Sequence, residues 1–286
     1  PYARLPTSPA SFTLRSSLSI LTTLMALAAT FSTTYTEPYY VARMLCSNSP
    51  KCRVRLSWNA VTSVSDSEAQ NFGRKRHLEH AERYDRAGEF IEVVNALWRS
   101  WQPDAVVRDR ESGVYAQAEH VRPIHYEGQH LRVAGPLNLP PYDDLGPVLI
   151  QAGVSEYFSH VASRHAEVIF PVLPNISRAG QFVSEFREKV AQAGRDLHRV
   201  RILPGCVPIV AETTAQAEAL QEELDALIHP LAGLTFMSGS MNHDLALYPQ
   251  DELIPDLDTE IRGSRGRFVP LVADARARGI DAQSVG

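Results

Sequence analysis

Val148-Leu-Ile-Gln-Ala-Gly153 is a short apolar run that ends in glycine, and Ser155 behind it has the side chain of a helix cap. The pattern then repeats. Residues 156–164 read as a helix, Ala166-Glu-Val-Ile-Phe170 as a strand, and Gln181 to Ala193 as a helix. Arg199-Val-Arg-Ile-Leu203 is a strand closed by Pro204-Gly205. Thr214 to Leu227 is a helix with Ala217, Leu220, Leu224 and Leu227 along one face. Strand and helix alternating through short turns predict parallel strands with crossover helices.

Upstream the rhythm is looser. Phe12 to Thr23 has helical apolar spacing and Leu24 to Phe31 reads as a buried strand. The apolar stretch Leu18 to Thr30, preceded by Arg4 and Arg15, also looks like a signal-peptide core, but it is shorter than the ~20 residues that span a bilayer. The helix-then-strand reading is preferred. Arg53 to Val61 forms a second strand ending at Asn59, and Ser65 with Glu68 has capping-box spacing. A long helix is expected from His77 to Trp101, stopped by Pro103. Asp104 to Pro147, punctuated by Gly113, Gly128, Gly135 and Gly146, reads as an irregular insertion with a hairpin or two. Gly233 to Asp258 reads as a second loop-rich insertion, and Phe268 to Arg278 as a last helix. About five strand–helix units result, enough for a doubly wound sheet and short of an eight-stranded barrel.

Composition narrows the function. Lys and Arg number 28 against 33 Asp and Glu, a net charge of −5 over 286 residues. A general nucleic-acid binder needs a basic surface to displace counterions, so that class is excluded. Hydrophobic residues make up 44%, enough to bury a core. Cys46, Cys52 and Cys206 lack the paired spacing of a zinc site, and three thiols fit a reducing, cytoplasmic compartment. His77-Leu-Glu-His80 offers two imidazoles three apart with no third ligand at a telling spacing, so no metal is expected. No membrane partner is expected either.

Parallel α/β folds carry their sites at the carboxyl ends of strands. The residues there are small, hydroxyl or amide: Thr30 with Ser32, Thr33 and Thr34; Asn59 with Thr62 and Ser63; Gln151, Gly153 and Ser155. There is no carboxylate pair, nucleophile elbow or Walker loop. Ser155 alone reads as a plain N-cap, the commoner role of such a serine, ahead of a phosphate contact at a helix N-terminus. His80 and Tyr84 lie four apart on one helix face, flanked by Arg76 and Arg83.

Several stretches occur in a telling order: Ala29-Thr-Phe-Ser-Thr-Thr-Tyr-Thr-Glu-Pro-Tyr39, Ser57-Trp-Asn-Ala-Val-Thr-Ser63, His80-Ala-Glu-Arg-Tyr84, Gly135-Pro-Leu-Asn138, Val148 to Ser155, and Ile202-Leu-Pro-Gly205. Together they resemble the luciferase-like flavin monooxygenases, in the branch of nitrilotriacetate and dibenzothiophene-sulfone monooxygenases. The resemblance implies an α/β fold, a (β/α)8 TIM barrel, of which this chain carries strands three to seven. It implies one domain over 1–286 with insertions at about 64–147 and 233–260. It further implies reduced FMN as co-substrate, O2, a small organic substrate, and a separate NAD(P)H-dependent flavin reductase, and leaves a homo-oligomer open. The flavin contacts carry over to Thr30, Asn59, His80, Tyr84, Gly153 and Ser155, and no catalytic residue is assigned. The chain departs from the family pattern at Met44 to Arg55 and at Phe158, where a glycine is usual close to the phosphate. Other readings are an inactive piece of such a barrel and a deazaflavin-dependent oxidoreductase on the same fold.

Overall fold

A computed structural model describes residues 11–22, 25–52, 56–140, 146–249 and 251–279. Five parallel strands form one sheet: β1 (Leu27–Ser32), β2 (Leu56–Val61), β5 (Val148–Ala152), β6 (Val168–Phe170) and β7 (Arg201–Ile202), in that spatial order. A small antiparallel hairpin, β3 (Tyr126–Glu127) with β4 (Arg132–Val133), lies in the connection between β2 and β5. The helices are α1 (Ser11–Leu21), α2 (Pro38–Cys52), α3 (Asp66–Asn71), α4 (His80–Trp98), α5 (Glu156–His165), α6 (Ile176–Gln192), α7 (Thr214–Ala226), α8 (Pro230–Met241) and α9 (Arg265–Ala277).

Strand alternation sorts the side chains between two faces. Leu27, Ala29 and Phe31 on β1, Leu56, Trp58 and Ala60 on β2, and Leu149 on β5 join the main core with Phe90, Ile91, Val94 and Leu97 of α4. Trp58 meets Phe90 at 6.0 Å between ring centroids and Trp98 edge-on at 6.3 Å. Ile169 of β6 packs outward with Phe158, Phe182 and Phe186 of α5 and α6. The opposite face carries a lateral row fixed by register: Thr30 beside Asn59, Asn59 beside Ile150, Ile150 beside Val168, and Val168 beside Arg201. Helices cover one face, and Thr30 and Asn59 stand on the other.

Several boundaries differ from the sequence reading. The expected start at Leu24 and the Arg53–Arg55 part of the second strand fall outside the described residues. β2 continues past Asn59 to Val61, since its pairing with β1 continues to Ser32. α4 ends at Trp98, well before Pro103: the Arg99 N–H donates to Asn95 O and the Ser100 N–H to Leu97 O, each at 3.2 Å, and Trp101 leaves to bridge Val121. His77 lies outside the helix, because its backbone N–H donates to Asp66 Oδ1 at 2.8 Å. α6 begins five residues before Gln181, where Asn175 caps it by accepting from Arg178 N at 2.9 Å.

The stretch read as a second loop contains α8. Leu234, Met237 and Met241 recur there at helical spacing. They bury against Leu245, Leu257, Ile261, Phe268 and Val272 in a core of their own. The face of α7 expected to be buried is exposed: Leu220, Leu224 and Leu227 are 39%, 46% and 75% accessible.

Candidate flavin site

The ends of β1 and β2 are stitched together by hydroxyls. Thr33 N donates to Val61 O at 2.8 Å, Thr34 Oγ1 to Thr62 O at 2.8 Å, and the Ser32 and Ser63 hydroxyls meet at 2.8 Å. Ser63 turns the chain with φ +59°, a conformation that serine adopts only when held. Ser63 Oγ donates to Glu68 Oε1 at 2.8 Å, and the Ser63 carbonyl accepts from Arg83. α3 is capped as expected, with Ser65 Oγ accepting from Glu68 N at 3.2 Å. The Glu68 carboxylate turns to Ser63.

On the inner face, Asn59 Nδ2 donates to Thr30 Oγ1 at 3.2 Å. That bond fixes the amide and leaves Asn59 Oδ1 buried with no hydrogen-bond partner among the described residues. A buried acceptor without a donor is costly, and a ligand N–H would satisfy it.

The first turn of α4 and the turn before α5 form the second half of the site. His80 and Tyr84 stack edge-on, 5.0 Å between centroids, and Tyr157 meets His80 from the other turn at 5.1 Å. The Tyr84 hydroxyl lies close to the side chains of Ser155 and Thr62. Thr62 thereby links this half to the ends of β1 and β2. Burial pushes the Tyr84 phenol above its ordinary range, so it stays protonated. Ser155 Oγ caps α5 by accepting from Phe158 N at 3.2 Å. Gly153 is needed for space: a Cβ there would come within 2.7 Å of the Phe158 ring. Phe158 itself is turned into the core beneath the turn, where it is 1% exposed.

The local field is positive. Burial and the Arg83 and Arg265 charges hold His80 down at about 4, and no carboxylate contributes. Arg83 is 1% exposed and forms no ion pair among the described residues, although its guanidinium donates to His77 Nε2 at 3.0 Å. A buried cation without a paired carboxylate favours an anionic ligand nearby. The N-terminus of α5 adds to that preference.

The structure therefore joins Thr30 to Asn59, and His80 to Tyr84 to Ser155, with Gly153 in the same turn. Arg83 belongs to the cluster, whereas Arg76 is exposed outside it. His77 is engaged by the Tyr35 hydroxyl and Arg83. No group of three or more metal-ligating side chains occurs among the described residues. Tyr157 and Arg265 escaped the sequence reading. Tyr157 sits beside a cap read only for its serine, and Arg265 comes from a helix far along the chain.

The family model for luciferase-like monooxygenases matches residues 1–256. The chain belongs to the luciferase-like monooxygenase family. Dibenzothiophene-sulfone monooxygenase of Rhodococcus erythropolis is 39% identical over 253 residues, covering 88% of this chain and 55% of the relative. Nitrilotriacetate monooxygenase component A of Aminobacter aminovorans is 38% identical over 266 residues, covering 93% and 59%. The chain thus spans little more than half the length of these relatives. A crystal structure of riboflavin lyase with modified FMN and its substrate riboflavin superposes with a TM-score of 0.84 at 28% identity, covering 97% of this chain and 63% of that one. The luciferase-like fold is a (β/α)8 TIM barrel, and five of its parallel strands lie among the described residues. No described helix is long and apolar enough to cross a membrane.

Proposed function

We propose that this chain is a luciferase-like barrel domain of a two-component monooxygenase, and that Thr30, Asn59, His80, Tyr84, Gly153 and Ser155 hold reduced FMN. In this reading the insertions lie at about 64–147 and 233–260. The donor set fits the group. Hydroxyl and imidazole side chains beside the Arg83 and Arg265 charges suit a phosphate. The buried, unpartnered Asn59 Oδ1 suits an N–H of the flavin ring. That unmatched pair of features, an anion seat at one end and an orphan acceptor at the other, carries the reading.

Bound reduced flavin supplies the activation of O2, and the protein supplies its setting. Tyr84 and Ser155 offer hydroxyls to the phosphate, and the α5 cap already orders that of Ser155. His80 stays neutral near pH 7 and presents an imidazole held between two tyrosine rings. Asn59, locked by Thr30, orients the ring edge. In this reading the two insertions cap the site and keep water from the reacting face. A separate NAD(P)H-dependent reductase delivers the reduced flavin, and one oxygen atom of O2 enters a small organic substrate, with cleavage of a C–N or C–S bond. The names of the two relatives support that substrate chemistry.

FMN titration by fluorescence quenching tests the site. Replacing His80 by Ala together with Tyr84 by Phe is expected to weaken FMN binding at least about tenfold, by loss of charge-assisted contacts. Unchanged affinity would remove these residues from the site.

A further inference from the structure

We propose that Arg265, next in the chain to the Gly266 that packs against Ser155, is a further ligand of the phosphate group, contributed by the C-terminal helices rather than by the barrel strands. This rests on the FMN reading above and adds a residue to it. Gly266 lies directly on the α5 cap: a Cβ there would come within 3.2–3.3 Å of Ser155 N, Cα and Cβ. Those atoms are main chain or its first carbon, so they cannot swing aside. Two backbones approach closely at the residue whose hydroxyl caps α5. The neighbouring guanidinium is held in place: Arg265 donates through Nη1 to the carbonyls of Asp258 and Ile261, the latter at 2.9 Å, and through Nη2 to Asp258 Oδ1 at 2.9 Å. Its Nε–H is not used by these bonds. The Asp258 carboxylate is more than half exposed, so this pair is weak in water.

The Arg265 charge reaches the site, since it helps to keep His80 unprotonated. α8 and α9 share a core separate from the two barrel clusters. Asn242, at φ +55°, ties that unit to the barrel rim by accepting from Asp66 N at 3.1 Å. The C-terminal helices are thus a separately packed unit anchored on the rim, with Gly266 against Ser155 and Arg265 next to it in the chain.

The test compares oxidised FMN with riboflavin, which lacks the phosphate, in fluorescence titrations of the full chain. Arg265→Gln is expected to weaken FMN about tenfold, the worth of one charge-assisted contact, and to leave riboflavin within about twofold. Arg265→Lys should recover most of the loss. Asp258→Asn breaks the anchoring pair but keeps the charge, and should bind FMN as the parent does. The proposal is overturned if Arg265→Gln binds FMN unchanged, if it weakens both ligands alike, or if Asp258→Asn reproduces its effect. If the parent chain has no preference for FMN over riboflavin, the phosphate reading fails and this inference falls with it.

Discussion

α4 and α7 carry the same kind of apolar stripe and meet different fates. In α4, Ala87, Phe90, Ile91, Val94 and Leu97 are fully buried against β1 and β2. In α7, Leu220 and Leu224 recur at equally good spacing, and a complete capping box of Thr213 with Gln216 starts the helix, yet no residue of α7 is buried. Spacing decides that a helix forms and which face is apolar. It does not say whether a partner lies opposite. α4 lies over the longest strands, whereas α7 follows β7, only two residues long.

The contrast can be broken most severely at Phe90. Phe90→Ala removes a ring packed on Trp58 and is expected to cost about 3–5 kcal/mol, measured as a lowered urea midpoint. A loss under about 1 kcal/mol would mean that the α4 core is looser than described. Ser155→Ala is the next test, because the same hydroxyl caps α5 and lies close to Tyr84. About 1 kcal/mol of stability should go with the cap, and FMN affinity should fall more than riboflavin affinity.

Acid sharpens the comparison through His80. Its pKa is about 4 in the folded chain, below the ordinary histidine value of 6.5. The unfolded chain therefore binds the proton first, and stability falls as pH drops from about 6.5 toward 4. His80→Gln should flatten that slope in urea titrations across this window, whereas a variant in α7 should leave it unchanged. A slope identical in parent and His80→Gln would show that His80 is not desolvated. Smallest of all is Leu224→Ala, expected to shift stability by less than about 1 kcal/mol, since the side chain is 46% exposed. A cost above about 2 kcal/mol would reveal a partner for the α7 face in solution.

Much of this was legible in the sequence. The five parallel strands, the helix after Ser155 and the hairpin in the long connection follow from periodicity and from glycine placement. The Asn59–Thr30 pair was foreseeable because both residues sit near strand ends that register brings side by side. α8 was not, because Gly233, Gly239 and its serines imitate a loop, and only tertiary packing of Leu234, Met237 and Met241 makes it helical. Arg83 was legible as a neighbour of Tyr84, but its complete burial depends on how α4 lies on the sheet. Gly266 against Ser155 joins positions more than a hundred residues apart, and no local pattern marks it.

Hydrogen–deuterium exchange with and without FMN tests the central claim most directly, because it maps the site along the whole chain. FMN should slow exchange in peptides containing Asn59 to Ser63, His80 to Tyr84 and Gly153 to Phe158, and leave α7 unchanged. Protection confined to other segments, or none at saturating FMN, would contradict the assignment of this rim as the flavin cradle.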